Sequence, residues 1–224
     1  KENKVDYGFF LRFNKKLQNM SPEEFIDKIL SKLNIKYLMV GDDFKFGKER
    51  SGDFDFLSNW GSNNQIKVDR IPTHSFEGRR VSSTWIRESI ADGNFELAEK
   101  LLDRRYTFSG KVVFGNRVGR TIGIPTANIW VPKSNLPIKG VYAVKALVKG
   151  ETFNGIANMG VRPTVGGTSP VLEIHIFDFN EEIYGHRIEV EFYQKIREER
   201  KFENLNKLKE QINLDIEETR KYFS

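Results

Sequence analysis

The run Ile188-Glu189-Val190-Glu191-Phe192 alternates apolar and acidic side chains without a break. A period of two places the apolar side chains on one face, so this run predicts a half-buried β-strand. Four other strand-like runs occur before it, at residues 106–114, 141–148, 153–159 and 172–177. Turn-forming glycines separate these runs, at positions 140, 150, 166–167 and 185. Short strands at this spacing predict a β-barrel or a β-sandwich.

A helical pattern follows the strands at the C-terminal side. Apolar residues recur there on one face of a helix, at Leu205, Leu208, Ile212 and Ile216. This spacing predicts a C-terminal helix that packs on the barrel.

The first part of the chain has a different pattern. Ser21 and Glu24 predict the capping box of a helix. The wholly apolar run 37–40 predicts a buried parallel strand, and two further helices are predicted at 82–93 and from residue 94. Helices around a buried strand predict an α/β sheet.

The change of pattern near residue 105 divides the chain. We therefore predict two domains, an α/β domain at residues 1–105 and an all-β domain at residues 106–224. A chain of 224 residues is long enough for this organisation without a disulfide or metal to stabilise it.

The composition limits the class of partner. The chain has 36 basic and 31 acidic side chains, a net charge of +5, and acids are interleaved with bases in both halves. A nucleic-acid partner is not expected, because its electrostatic footprint would be clustered. No apolar run approaches the ~18 residues of a membrane span. The absence of cysteine excludes thiolate chemistry and fits a reducing compartment, so we expect a cytoplasmic protein.

A glycine-rich stretch at residues 115–128 is the densest candidate for chemistry. Its three glycines are spaced by four with arginines between them, which predicts a mobile loop whose N–H groups can approach an anion. Thr126 and Asn128 offer hard oxygen atoms suited to Mg²⁺, and on an extended chain they would share one face. The alternative is a hairpin in which both side chains only satisfy turn hydrogen bonds.

Glu173 is the candidate base. It lies in the predicted strand 172–177, on the same face as His175 and Phe177. A carboxylate with a reference pKa of about 4.3 is ionised at neutral pH and can accept the proton of an alcohol. The alternative is a carboxylate that faces solvent.

At residues 119–128 the sequence matches the G-R-x-x-G-x-P-T-A-N signature of riboflavin kinases. Residues 40–52 resemble the G-x-D-F-x-F-G loop of bacterial FMN adenylyltransferases, and residues 81–87 resemble their S-S-T-x-I-R motif. Shorter matches to the kinases continue at 140–142, 158–164, 172–176, 184–185, 195–199 and 201–202. The chain thus resembles the prokaryotic bifunctional riboflavin kinase/FAD synthetase family over essentially its whole length.

The resemblance implies a fold and an activity. The implied fold is the remnant of a Rossmann-like nucleotidyltransferase α/β domain, followed by a six-stranded antiparallel barrel with a C-terminal helix. The implied reaction is ATP-dependent phosphorylation of riboflavin to FMN, with adenylylation of FMN to FAD by the intact parent. Mg²⁺ is the implied cofactor, the implied partners are riboflavin, FMN and ATP, and an oligomer is possible.

The resemblance also implies residue roles. Glu173 is implied as the base for the terminal ribityl hydroxyl, and Thr126 and Asn128 as Mg²⁺ ligands. The residues implied to bind ATP or its phosphates are Gly119, Arg120, Gly123, Thr126, Asn128, Ser83, Thr84 and Arg87. Those implied to bind the flavin are Arg197, Asp43 and Phe44. Plain N-capping is the alternative for residues 82–84, and a solvated ion pair is the alternative for Arg197.

One family motif, H-x-G-H, does not occur in residues 1–224. Residue 1 corresponds to the middle of the family's first domain, so we expect the chain to be N-terminally incomplete and expect it alone not to make FAD. The kinase domain is expected to be complete.

Two other classes of function stay open. One is a flavin carrier without turnover, and the other is a barrel that binds single-stranded nucleic acid.

Overall fold

A computed structural model describes residues 5–115, 118–132, 136–164 and 167–224. By its internal contacts the chain divides into two compact units, Lys1–Arg80 and Val81–Ser224. The domain boundary after residue 105 stays a prediction. In the structure the two helices before that point belong with the second unit, because Ile90, Phe95 and Ala98 are part of the barrel's hydrophobic core.

The first unit contains helices joined to short strands. In chain order its elements are α1 (Lys15–Gln18), α2 (Pro22–Lys28), a 3-10 turn (Leu30–Lys32), β1 (Tyr37–Gly41), a 3-10 turn (Lys48–Arg50), α3 (Phe54–Asn63), β2 (Lys67–Ile71), β3 (Ser75–Phe76) and β4 (Arg79–Arg80). Strands β1 and β2 pair in parallel, and β3 and β4 pair antiparallel. The α/β character predicted for this region is confirmed.

Two local predictions for the first unit have different outcomes. The capping box is confirmed, because the Ser21 hydroxyl accepts from the Glu24 N–H and the Glu24 carboxylate accepts from the Ser21 N–H. Strand β1 is parallel as predicted, but the prediction that it is buried is wrong for two of its residues. Tyr37 and Met39 are 46% and 50% exposed, because they alternate with Leu38 and Val40, which lie on the face that packs in the unit's hydrophobic cluster. Helix α3 and strand β2 were not predicted.

The second unit is a closed barrel with helices before and after it. In chain order its elements are α4 (Ser83–Ala91), α5 (Phe95–Leu102), β5 (Thr107–Val113), α6 (Val118–Thr121), β6 (Ala127–Trp130), β7 (Gly140–Val148), β8 (Glu151–Thr164), β9 (Gly167–Ile176), β10 (Arg187–Arg197) and α7 (Leu205–Phe223). The barrel order is β10-β5-β6-β9-β8-β7, with every pair antiparallel. The six-stranded antiparallel barrel with a C-terminal helix is therefore confirmed.

Alternation along the strands fills the barrel. Ile188, Val190 and Phe192 are at most 1% exposed, and the intervening Glu189 is exposed. Strand β6 did not appear among the predicted strand runs, because it is only four residues long and begins at the end of the glycine-rich stretch.

Helix α7 covers part of the barrel's outer face. Its residue Ile216 packs with the outward-facing Val141, Ile156 and Phe177. Leu205, predicted on the packed face, is 54% exposed because it is the first residue of the helix. Two polar residues are instead the buried ones, Asp215 at 2% and Thr219 at 0% exposure. Among the helices described here, none has the length and apolar character needed to cross a membrane.

Candidate functional site

A row of side chains crosses the barrel strands in register. Glu173 on β9 lies opposite Asn128 on β6 and opposite Asn158 on β8. The row continues through Val141 on β7 to Arg197 on β10. Directly opposed residues in antiparallel strands have Cβ atoms roughly 4.5–5.5 Å apart. Strand pairing therefore places a carboxylate between two carboxamides.

This row lies on the outer face of the barrel. Leu172 and Ile174, on either side of Glu173 in sequence, are 0% exposed in the barrel core. Alternation then directs Glu173 and His175 outward. Helix α7 covers that face, and both residues line a cavity of about 340 Å³ between the helix and the barrel.

The cavity is lined by both polar and apolar side chains. Its polar residues include Thr126, Asn158, Glu173, His175, Arg197 and Asp215. Its apolar residues include Ile122, Ile124, Val141, Ile156, Phe202 and Ile212. A volume of this size with a few converging polar groups is typical of sites for small organic ligands.

A second cavity, of about 130 Å³, adjoins the glycine-rich stretch. Its lining includes Arg120, Pro125, Thr126, Phe179, Glu181 and Tyr184. Thr126 lines both cavities. No other described residue appears in the linings of both cavities, so the two meet at Thr126.

In the described part of the glycine-rich stretch, three of the N–H groups that were predicted to approach an anion have partners within the chain. Residues 118–121 form one helical turn, and Gly123 then adopts a left-handed conformation with φ +82°. The N–H groups of Ile122 and Ile124 donate to the Gly119 carbonyl, at 3.3 and 2.8 Å, and that of Gly123 donates to the Arg120 carbonyl at 3.3 Å. Because these three donors are satisfied within the stretch, they are not presented to an anion.

Two glycines bring this stretch against the candidate ligands. A Cβ at Gly119 would lie 2.3 Å from the Ile124 carbonyl oxygen and 3.3 Å from the Thr126 hydroxyl oxygen. A Cβ at Gly115 would lie 2.4–2.5 Å from the amide group of Asn128, which is 6% exposed. Only glycine permits the backbone to approach this closely.

The donor set suits a magnesium ion. Thr126 supplies a hydroxyl oxygen and Asn128 a carboxamide oxygen, both hard ligands. Mg²⁺ is commonly held by one or two protein side chains together with water and substrate phosphates. Among the residues that the structure describes, no group of three His, Asp or Glu forms a metal cluster.

Arg197 is held by a residue that sequence reasoning missed. Its Nε donates to both carboxylate oxygens of Asp215, at 3.0 and 2.9 Å, and its Nη2 lies 2.8 Å from Oδ2. The Asp215 side chain is 3% exposed and that of Arg197 18%, so the alternative of a solvated pair is wrong. Gln211 also donates to Asp215, at 2.6 Å. The signal was available, because Asp215 lies at helical spacing from Leu208 and Ile212 on the apolar stripe.

The predicted site residues outside the barrel have other surroundings. Ser82 caps α4 by accepting the Trp85 N–H at 3.2 Å. The neighbouring residues Ser83, Thr84 and Arg87 are exposed and line neither barrel cavity.

In the first unit, Asp43 forms an exposed ion pair with Arg80 at 2.6 Å. Phe44 stacks on Phe46 at 5.7 Å within the unit's hydrophobic cluster. Both predicted flavin contacts are therefore engaged with side chains of their own unit.

Comparison with known proteins gives matches over the whole chain. The riboflavin kinase family matches residues 102–223, and the FAD synthetase family matches residues 1–85. The bifunctional riboflavin kinase/FMN adenylyltransferase of Haemophilus influenzae is 44% identical over 223 residues, which cover 99% of this chain and 72% of that protein. The protein of the same name from Escherichia coli K12 is 42% identical, over 98% of this chain and 71% of that protein.

A solved structure is also similar. It is a crystal structure described as a macrolide-efflux protein from Streptococcus pneumoniae, with a TM-score of 0.75 and 33% sequence identity. The similarity covers 93% of this chain and 67% of that chain.

Proposed function

We propose that this chain, which belongs to the bifunctional riboflavin kinase/FMN adenylyltransferase family, phosphorylates riboflavin at the site on the outer face of its barrel. The observation on which the proposal rests is the register of β6, β9 and β8. It sets Glu173 opposite Asn128, and Glu173 lines the larger cavity together with Thr126. These are the group types that phosphoryl transfer requires, a base for the nucleophile and oxygen ligands for a metal near the phosphates.

Glu173 acts as the base in this proposal. Its carboxylate accepts the proton of the terminal ribityl hydroxyl as that oxygen bonds to the γ-phosphorus of ATP. The bond from the γ-phosphorus to the β–γ bridging oxygen breaks, and ADP leaves with the electron pair. Positioning and charge neutralisation supply most of the rate in this chemistry, so one oriented carboxylate is sufficient.

Thr126 and Asn128 would hold the magnesium ion that accompanies ATP. When bound, Mg²⁺ neutralises charge on the phosphate oxygens during transfer. The close approach of Gly115 and Gly119 limits the room around these two side chains. That packing keeps Thr126 and Asn128 in place before the substrates arrive.

The two cavities correspond to the two substrates. The larger one has apolar walls and the paired Arg197, which suits the flat, largely apolar isoalloxazine ring. The smaller one has the aromatic rings of Phe179 and Tyr184 and the exposed Arg120, which suits a nucleotide. We assign Arg120 the charge contact to the ATP phosphates, with Gly119 and Gly123 shaping the turn that presents it.

The residues outside the barrel remain proposals for the second reaction of the family. Ser83, Thr84 and Arg87 would contact phosphate at the start of α4, and Asp43 and Phe44 would contact FMN. The partners proposed for the whole chain are riboflavin, FMN and ATP. The cytoplasm, where these small molecules meet, is the proposed location.

The test is to incubate the purified chain with riboflavin and Mg-ATP and to follow FMN by chromatography. We expect FMN and ADP in equal amounts, and no FMN when Mg²⁺ is chelated. Binding of riboflavin without FMN would instead support a flavin carrier and refute the kinase. A second arm supplies FMN and ATP. Because H-x-G-H does not occur in these 224 residues, we expect no FAD there.

A further inference from the structure

His175 makes a contact that neither the base nor the metal ligands explain. Its Nδ1 lies 2.8 Å from the main-chain oxygen of Pro125. The imidazole is half-buried and meets the ring of Phe177 edge-on, at 5.6 Å between centroids. His175 follows Glu173 by two residues on β9 and lines the same cavity.

The contact lies where the pairing of β6 with β9 ends. The terminal pair at this end is Ala127 with Ile174, so Thr126 would come opposite His175 if the strand continued. Pro125 has no N–H and cannot donate to a ladder. A side chain of β9 therefore holds the chain at the point where main-chain pairing stops.

The acceptor in this contact belongs to the peptide that joins Pro125 to Thr126. Because a peptide group is planar, holding its oxygen also fixes the nitrogen and Cα of Thr126. A carbonyl oxygen can only accept, so Nδ1 must bear the hydrogen. In the neutral imidazole Nε2 is then the unprotonated nitrogen.

We propose that His175 is a positioning residue for Thr126. By donating Nδ1–H to the Pro125 carbonyl, it holds the Thr126 hydroxyl at the junction of the two cavities. Strand β9 then contributes twice to the proposed reaction. It carries the base, Glu173, and it positions the metal ligand Thr126 through His175. This inference rests on the proposed kinase function, because it assigns a role within the same site.

The kinetic test uses three substitutions with different donors. Asn places a donor near the position of Nδ1, Gln places one near Nε2, and Leu has none. We expect His175→Leu to raise KM for Mg-ATP and to lower kcat, together by roughly 10–10²-fold in kcat/KM, since small displacements of positioned groups have effects of this order. His175→Asn should recover most of the loss and His175→Gln should not. The exposed His186 is the matched control, and His186→Leu should retain wild-type kinetics.

A measurement without turnover tests the same contact. Long-range ¹H–¹⁵N NMR of the wild-type chain should show the His175 tautomer with hydrogen on Nδ1. Amide exchange at Thr126 and Ala127 should accelerate in His175→Leu, whereas exchange at Ala146 in the barrel core should not. The Nε2–H tautomer, or unchanged exchange, would overturn the proposal.

The kinetic outcomes separate the two proposals. A wild-type chain that makes no FMN refutes the kinase function itself. A wild-type chain that makes FMN, with His175→Leu changing only KM for riboflavin, refutes the positioning role and makes His175 part of the flavin wall. Equal losses in the Asn and Leu variants would also refute it, because the donor would then be irrelevant.

Discussion

The two units place their strands in different settings. In the second unit every strand of the barrel has two partners, and side chains that point inward, such as Ile188, Val190 and Phe192, are almost fully buried. In the first unit, within the described residues, β1 has the single partner β2, and Tyr37 and Met39 remain about half exposed. In a closed barrel, alternation along a strand separates a buried inner face from an outer face. In the two-stranded sheet, it leaves the side chains of one face about half exposed.

The candidate site residues of the two units differ in the same way: some lie on paired barrel strands and others on a loop. Asn128 and Glu173 lie on paired strands, and their meeting follows from register. Asp43 and Phe44 lie on a loop of the first unit, where one pairs with Arg80 and the other packs on Phe46. Strand pairing thus assembles the barrel site, while the predicted flavin contacts of the first unit have no comparable scaffold.

Removing the proposed base, Glu173, is expected to have the largest effect of the substitutions that test this comparison. Glu173→Gln keeps the shape of the side chain but cannot take a proton, so kcat for riboflavin phosphorylation should fall on the order of 10²–10⁴-fold. Mg-ATP binding, measured by calorimetry, should be largely unchanged. The control is Glu189→Gln on β10, an exposed glutamate on the same barrel. Wild-type turnover in Glu173→Gln would show that register sets this carboxylate opposite Asn128 without a catalytic consequence.

The hydroxyl shared by the two cavities is expected to have the next largest effect. Thr126→Ala removes a proposed Mg²⁺ ligand, so Mg-ATP should bind more weakly and kcat/KM should fall by roughly 10²-fold. Thr126→Ser keeps the oxygen and should recover most of the activity. The control is Thr152→Ala, at an exposed position of β8. Unchanged titration of Thr126→Ala with Mg-ATP would contradict the ligand role.

The sequence predicted the parts of this site that depend on local periodicity. Alternation in residues 172–177 predicted that Glu173 and His175 share one face, and in the structure both line the cavity on the outer side of the barrel. The neighbours of Glu173 were beyond such reasoning, because Asn158 meets it through strand pairing of residues fifteen positions apart in sequence. Strand β6 was missed since four residues contain too little pattern to distinguish a strand from a turn.

Buried polar pairs illustrate the same limit. Asp215 was recognisable as a charge on the apolar stripe of α7, but nothing local identifies Arg197 as its partner, since α7 must first pack on the barrel. Helix α3 had a usable signal that was overlooked. Asp53 accepts the Phe56 N–H at 3.0 Å as an N-cap, and an Asp before an apolar run is a known helix start.

The ion pair between Asp215 on α7 and Arg197 on β10 can be tested through its effect on the free energy of unfolding. Asp215→Ala leaves a guanidinium without its buried partner, which should lower the free energy of unfolding by about 3 kcal/mol and raise KM for riboflavin. Chemical denaturation followed by circular dichroism measures the first effect. The control is Asp178→Ala, which removes an exposed pair with Arg220 and should change stability very little. Equal effects of the two substitutions would show that burial of the Asp215 pair does not matter.

The smallest expected effect concerns tyrosines in the two units. Burial raises the pKa of Tyr142 to about 12, whereas the pKa of the exposed Tyr37 is raised chiefly by its hydrogen bond to Asp69. A folded-state pKa above the unfolded value of about 10 means that the unfolded chain loses the proton first. The stabilisation from Tyr142 is therefore complete below pH 10 and is lost as the pH rises toward 12.

Tyr142→Phe isolates this contribution. It removes the hydroxyl that donates to the Lys139 carbonyl at 2.6 Å and accepts the Lys139 N–H at 2.8 Å, which should lower the free energy of unfolding near neutral pH by about 1 kcal/mol. Because the variant has no ionisable group at this position, its stability should decline less steeply than that of the wild type above pH 10. Denaturation at a series of alkaline pH values measures both slopes. Equal slopes of unfolding free energy against pH in the wild type and the variant would show that the barrel interior does not hold this proton. The contrast between the closed barrel and the two-stranded sheet would then not extend to tyrosine ionisation.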